Sequence, residues 1–138
     1  MVDLTYVVVS VASGVLFGIM DGVINANPLA SQLYAVYNPI ARTSINLPGG
    51  IMIDLLYGFV MAAIFLLLYE GLPGGEMGVL KGASYGLIMW FFRVVMAAAS
   101  QWVMFDVPLE TLLYTITTGL VEMLVLGIFY GLLLHPAD

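Results

Sequence analysis

The chain has no cysteine, a single histidine and only three basic residues among 138. Without cysteine there can be no disulfide, thiolate metal site, iron–sulfur cluster or cysteine nucleophile, and the redox compartment is unreadable. The one histidine, His135, lies in the C-terminal tail, so a single copy cannot build a bis-histidine haem or a multi-histidine metal site. The same shortage leaves no imidazole base in the apolar runs for a hydrolytic triad. Arg42, Lys81 and Arg93 stand against nine acids, for a net charge of −6. That balance argues against a nucleic-acid partner and against a polybasic patch for anionic lipid. No motif points to a cofactor, so its identity is unknown from sequence.

What the chain has is apolar length. Hydrophobic residues make up 62% of it, charged residues 9%, and the mean hydropathy is +1.08. A soluble domain would be about half apolar and ~25% charged. The expectation is an all-α integral membrane protein: a four-transmembrane-helix bundle forming a single domain over 1–138. The spans fall at about 4–26, 50–70, 81–104 and 109–134. The opening residues Met1-Val2-Asp3-Leu4 lack the positive charge of a cleaved leader, so the first apolar run reads as a retained helix. Four spans put both ends of the chain on one side, here side A, and the loops 27–49 and 105–108 on side B. Side A loops offer Lys81 and side B loops Arg42, so basic residues do not assign an orientation.

Turn chemistry marks the joints. Glu70-Gly71-Leu72-Pro73-Gly74-Gly75 ends span 2, and Asp106-Val107-Pro108 reads as an N-cap and early-turn proline for span 4. The loop 27–49 holds two Asn-Pro pairs, Asn27-Pro28 and Asn38-Pro39, each a helix-start signal, so two short interfacial helices are expected there. Tyr34, Tyr37, Tyr114 and Trp102 toward side B, and Tyr6, Tyr69 and Tyr130 toward side A, read as interfacial belts.

Residues four and seven apart share a helix face. Span 1 places Ser10, Gly14, Gly18, Gly22 and Ala26 on one stripe, with Asp21 and Asn25 along it. Such a stripe lets two backbones approach closely, though not necessarily within one chain. Span 2 aligns Gly50, Asp54, Gly58 and Ala62; span 3 aligns Gly82, Gly86, Arg93, Ala97 and Ser100, with Gln101 beside them. On span 4, Thr111, Thr115 and Thr118 lead to Glu122. Each span thus carries an ionisable residue on its small or polar face, where it avoids the several kcal/mol that a charge costs against lipid. The four faces converge on a polar funnel open to side B, formed by Asp21, Asn25, Asp54 and Gln101 with Glu110 and Arg42 at its mouth. Arg93 lies below it, and Glu122 deeper, toward side A.

Structurally, Arg93 would pair with one carboxylate and fix the helix register. Three acids against one base leave carboxylates that need a proton or a cation, as proton relays do. Asp21, Asp54, Arg93, Glu122, Asn25 and Gln101 are therefore the candidates for a transport or ion pathway. Ser10, Gly14, Gly18, Gly22, Gly58, Gly82 and Gly86 are the helix-packing candidates. The nine methionines are scattered and read as core filler. Trp90-Phe91-Phe92 reads as lipid-facing, with a pocket for a flat ligand or a cation–π contact to Arg93 as the alternatives. Two functions fit: a small oligomeric transporter or channel for protons or a cationic solute, or a non-catalytic accessory subunit of a larger membrane complex that docks through the glycine stripe. The partners expected are the lipid bilayer and either further copies or other subunits; an enzyme is the less favoured class.

Overall fold

Asp3 opens the first helix by accepting a hydrogen bond from the Tyr6 N–H at 2.7 Å, and α1 then runs over Leu4–Asn25. The computed structural model describes residues 3–136, so Met1, Val2, Ala137 and Asp138 of the expected four-span unit lie outside it. After α1 come α2 (Pro28–Leu33), a 3-10 turn (Ala35–Ile40), α3 (Leu47–Leu68), and one helix made of α4 (Gly78–Trp90), a π-helical turn (Phe91–Val95) and α5 (Met96–Met104). The last helix, α6, covers Leu109–Leu133. No strand occurs among the described residues. Four helices, Leu4–Asn25, Leu47–Gly71, Gly78–Met104 and Leu109–Leu133, are long and apolar enough to cross a membrane.

Asparagines punctuate this order. Asn27 Oδ1 accepts from the Ala30 N–H at 2.9 Å and starts α2, while its Nδ2 donates to the Val23 and Ile24 carbonyls at 2.8 and 2.9 Å and closes α1. One side chain therefore satisfies orphan groups of two helix ends. Asn46 accepts from the Gly49 N–H at 3.1 Å and starts α3 earlier than the glycine pattern suggests. The second Asn-Pro pair starts nothing: Asn38 and Pro39 sit inside the 3-10 turn. Asp106 does not cap either, because Pro108 occupies that position before α6. At the side A turn, Gly74 and Gly75 take φ values of +132° and +60°. Lys81, 6% exposed, then donates to the carbonyls of Tyr69 (2.5 Å) and Leu72 (3.3 Å) at the frayed end of α3.

The bundle consists of two tight antiparallel pairs. In α1 and α3, a Cβ on Gly58 would run into Ser10 O and the Gly14 backbone, and one on Gly14 would lie 2.8 Å from Asp54 O. In α4 and α6, Gly78 meets Gly131, Gly82 meets Gly127, and Gly86 faces the Met123 carbonyl at 2.5 Å from where its Cβ would be. Small residues thus let backbones touch where lipid provides no hydrophobic push. The stripe of span 1 finds its partner within the chain at Ser10, Gly14 and Gly18, whereas Gly22 and Gly50 face open space.

The pairs meet through aromatic side chains. Tyr130 donates to Ser13 Oγ at 2.9 Å and lies 3.3 Å from Gly58 O; Tyr85 donates to Met61 O at 2.7 Å. Phe65 packs against both rings at centroid distances of 6.0 and 5.3 Å. Tyr130 is therefore a core residue and not part of an interfacial belt. The π turn explains a second departure. It inserts one residue, so the buried face expected through Ala97 and Ser100 passes instead through Val94 and Ala98.

Candidate functional site

Asp21, Asn25, Arg93 and Glu122 come together in one cleft between the two helix pairs, with a volume of about 140 Å³. Tyr34 and the threonines Thr115 and Thr118 complete its polar wall. That is room for several waters, at ~30 Å³ each, or for one small solvated cation. Asp21 is one turn from the side B end of α1, and Glu122 is thirteen residues into α6, well below the level of Tyr114, whose hydroxyl reaches Ile24 O at that end. Glu122 is thus the floor of the polar region and is not isolated from it.

Arg93 reaches this floor from the π turn. Its Nη1 lies 3.4 Å from Glu122 Oε1 in the one ion pair among the described residues. The guanidinium also sits over the rings of Phe17 (4.9 Å) and Tyr57 (5.1 Å), and its Nε donates to the Tyr57 hydroxyl at 3.4 Å. The cation–π partners therefore come from α1 and α3. Phe91 and Phe92, its sequence neighbours, point outward, and Trp90 donates to Ile116 O at 2.9 Å. Arg93 is the charged link between the helix pairs.

Glu122 is 2% exposed, and its Oε2 has no hydrogen-bond donor among the described residues. Asp21 is the second carboxyl lining the same cleft. Both are acceptors when ionised, so a bond between them needs a proton or a cation in the gap. Below this point buried side chains fill the space between the described helices. Toward side A, α1 continues with the buried Phe17 and Ser13, and α6 with Met123, Leu126 and Tyr130, each 2% exposed or less.

Toward side B, the α2 segment lies across the mouth. Thr111 donates to Leu33 O, Tyr114 to Ile24 O at 2.6 Å, and Tyr37 to Gln101 Oε1 at 2.6 Å. Thr115 spends its proton on Thr111 O at 3.1 Å, so the 3.0 Å contact with Tyr34 has the tyrosine as donor. Burial raises Tyr34 above the ordinary tyrosine value against the opposing Thr115 hydrogen bond, so this phenol stays neutral. A wider hollow of about 570 Å³, lined by Asn27, Ser31, Tyr37 and Asn38, adjoins the cleft and shares Asn25 and Tyr34 with it.

The remaining candidates lie elsewhere. Gln101 belongs to the cap, and Arg42 and Glu110 are exposed and line neither hollow. Asp54 lines a separate groove between α1 and α3. Sequence reasoning missed Tyr34, which it placed in a belt, and the aromatic seat of Arg93 at Phe17 and Tyr57. Only a tyrosine three residues after Asp54 hinted at the latter.

No known family, no curated protein and no solved structure matches this chain. The functional reading therefore rests on the site.

Proposed function

We propose that this chain is a small multi-pass membrane transporter that takes a proton or a small cation from side B onto the Asp21–Glu122 pair, with Arg93 as the fixed counter-charge. The observation that supports this reading most is the buried Glu122 Oε2, which has no donor among the described residues and belongs to a cleft lined by a second carboxyl, Asp21. A bundle built for stability alone gains nothing from that arrangement, since a buried acceptor without a donor costs about 1–3 kcal/mol. The cleft is open on one side and backed by buried aromatic residues on the other, as in one state of an alternating-access carrier. One copy leaves no path past Tyr85 and Tyr130, so conduction calls for movement of the helix pairs or for a homo-oligomer. In the accessory-subunit reading the span 1 stripe was the docking surface; with Ser10, Gly14 and Gly18 facing α3, that role would need another face.

The test uses the purified full chain in liposomes containing a pH-sensitive dye and a potassium diffusion potential. Wild type should acidify the lumen faster than protein-free liposomes, and Glu122→Gln, which keeps the shape, should not. Equal rates for the two proteins, or no flux from wild type, would overturn the reading.

A further inference from the structure

We propose that Asp54 forms a second, separate site that binds a lipophilic monovalent cation arriving sideways from the bilayer. The groove holding Asp54 has a volume of about 380 Å³, within the roughly 300–1,000 Å³ of ligand pockets. Val15 and Ile19 of α1 and Leu47, Ile51 and Leu55 of α3 form its walls, and Asp54 is the only polar side chain in the lining. Val15, Ile19, Leu47 and Ile51 are all at least half exposed on the outer surface of the bundle. In a spanning bundle that surface faces hydrocarbon, and Asp54, seven residues into α3, sits ~10 Å below the side B end.

Charge complementarity selects the occupant. Asp54 has no ion-pair partner among the described residues, since Arg93 pairs with Glu122 and Lys81 is committed to carbonyls at side A. A bare carboxylate facing lipid is costly, so it must be neutralised by a proton or by a cation. An inorganic ion would have to shed its water against apolar walls, whereas an organic cation with an apolar body brings its own match to Val15, Ile19 and Ile51. The other charges near enough to act on Asp54 are Asp21 on the packed helix α1 and Arg93 on the facing helix; Tyr57 is one turn along α3. Gly18 gives the carboxylate its seat: a Cβ there would lie 2.7 Å from Asp54 Oδ2. Binding is an exchange in which the protonated Asp54 gives up one proton and the carboxylate takes one cation.

This extends the proposed function by naming a substrate class, and rests on it only for the step from binding to transport. The probe is tetraphenylphosphonium, titrated into the full chain in lipid nanodiscs with proton release followed in weak buffer. Wild type should bind saturably, release one proton per cation, and bind more weakly as pH falls. Asp54→Asn should lose at least about tenfold in affinity, the scale for truncating one partner of a desolvated charge pair. Ile51→Trp, which fills the groove and keeps the charge, should weaken binding similarly and covers the case in which Asp54→Asn fails to fold. Glu122→Gln should bind as wild type does. No saturable binding, binding unchanged in both groove variants, or equal competition by tetramethylammonium would overturn the site. Loss in Glu122→Gln alone would move the cation to the cleft and overturn it too. Failure of the proton flux assay leaves this binding result standing, so the two ideas fail separately.

Discussion

Arg93 and Glu122 form an uneven pair: at 3.4 Å, the guanidinium side chain is 30% exposed and the carboxylate side chain 3%. The base borders the cleft while the acid is enclosed by protein. Removing the base therefore strands a buried charge, whereas neutralising the acid leaves a partly exposed arginine that still has two aromatic rings. Arg93→Ala should lower stability by about 3–5 kcal/mol, and Glu122→Gln by far less. In the double variant, the arginine change should cost less than it does alone. Thermal unfolding in detergent, followed by loss of the monodisperse gel-filtration peak, would check this; strict additivity would mean that the pair is not coupled.

The glycine contacts make opposite predictions for glycines inside and outside the seams. Gly127→Ala puts a methyl into the Gly82 backbone, and Gly58→Ala puts one into Ser10 and Gly14. Each should destabilise by at least about 1–3 kcal/mol, because a helix backbone cannot yield as a side chain can. Gly22→Ala meets nothing within 4 Å and should be neutral or stabilising by about 0.5–1 kcal/mol through helix propensity. The same melting assay reads both. A melting point for Gly127→Ala at or above that of wild type would show that the α4–α6 seam is looser than described.

The absence of native cysteine makes access measurable without a background. Thr118→Cys, in the cleft wall, should react with a charged, water-soluble methanethiosulfonate added on side B and not on side A. Ala62→Cys, in the fully buried seam of α3, should resist from both sides. Labelling of Thr118→Cys from side A would place an aqueous path through the aromatic half of the bundle.

The cap can be loosened separately. Tyr37→Phe deletes the donor to Gln101 at a cost of about 1 kcal/mol. Labelling of Thr118→Cys should then speed up by roughly the fivefold that this energy represents. An unchanged rate would mean that the α2 segment does not control the mouth.

Much of this fold was legible in the sequence, for identifiable reasons. Four spans follow from apolar runs of fixed length, and Asp21, Asn25, Arg93 and Glu122 share a cleft because each lies on the small or polar stripe of its helix. The paired glycines announced close seams. Other features were hidden. A π turn carries no residue signature, so the one-residue slip that buries Val94 and Ala98 was invisible to periodicity. Asp54 lies on the same stripe as Gly58, yet its carboxylate sits at the flank of the α1–α3 seam, a difference of a few ångströms that helical phase does not resolve. Tyr34 and Tyr130 looked like belt residues because aromatic composition says where a ring lies along the span but not which way it points.

The glycine seams have a mechanical consequence. Backbones in direct contact at Gly14–Gly58 and Gly82–Gly127 leave no layer of side chains to slide on, so each helix pair moves as one stiff plank. The planks meet through side chains instead, the hydroxyls of Tyr85 and Tyr130, the Phe65 ring between them and the Arg93 guanidinium. Any change of shape in this molecule therefore amounts to one plank rocking against the other, with Tyr130 and Arg93 as the two points where the joint can be felt.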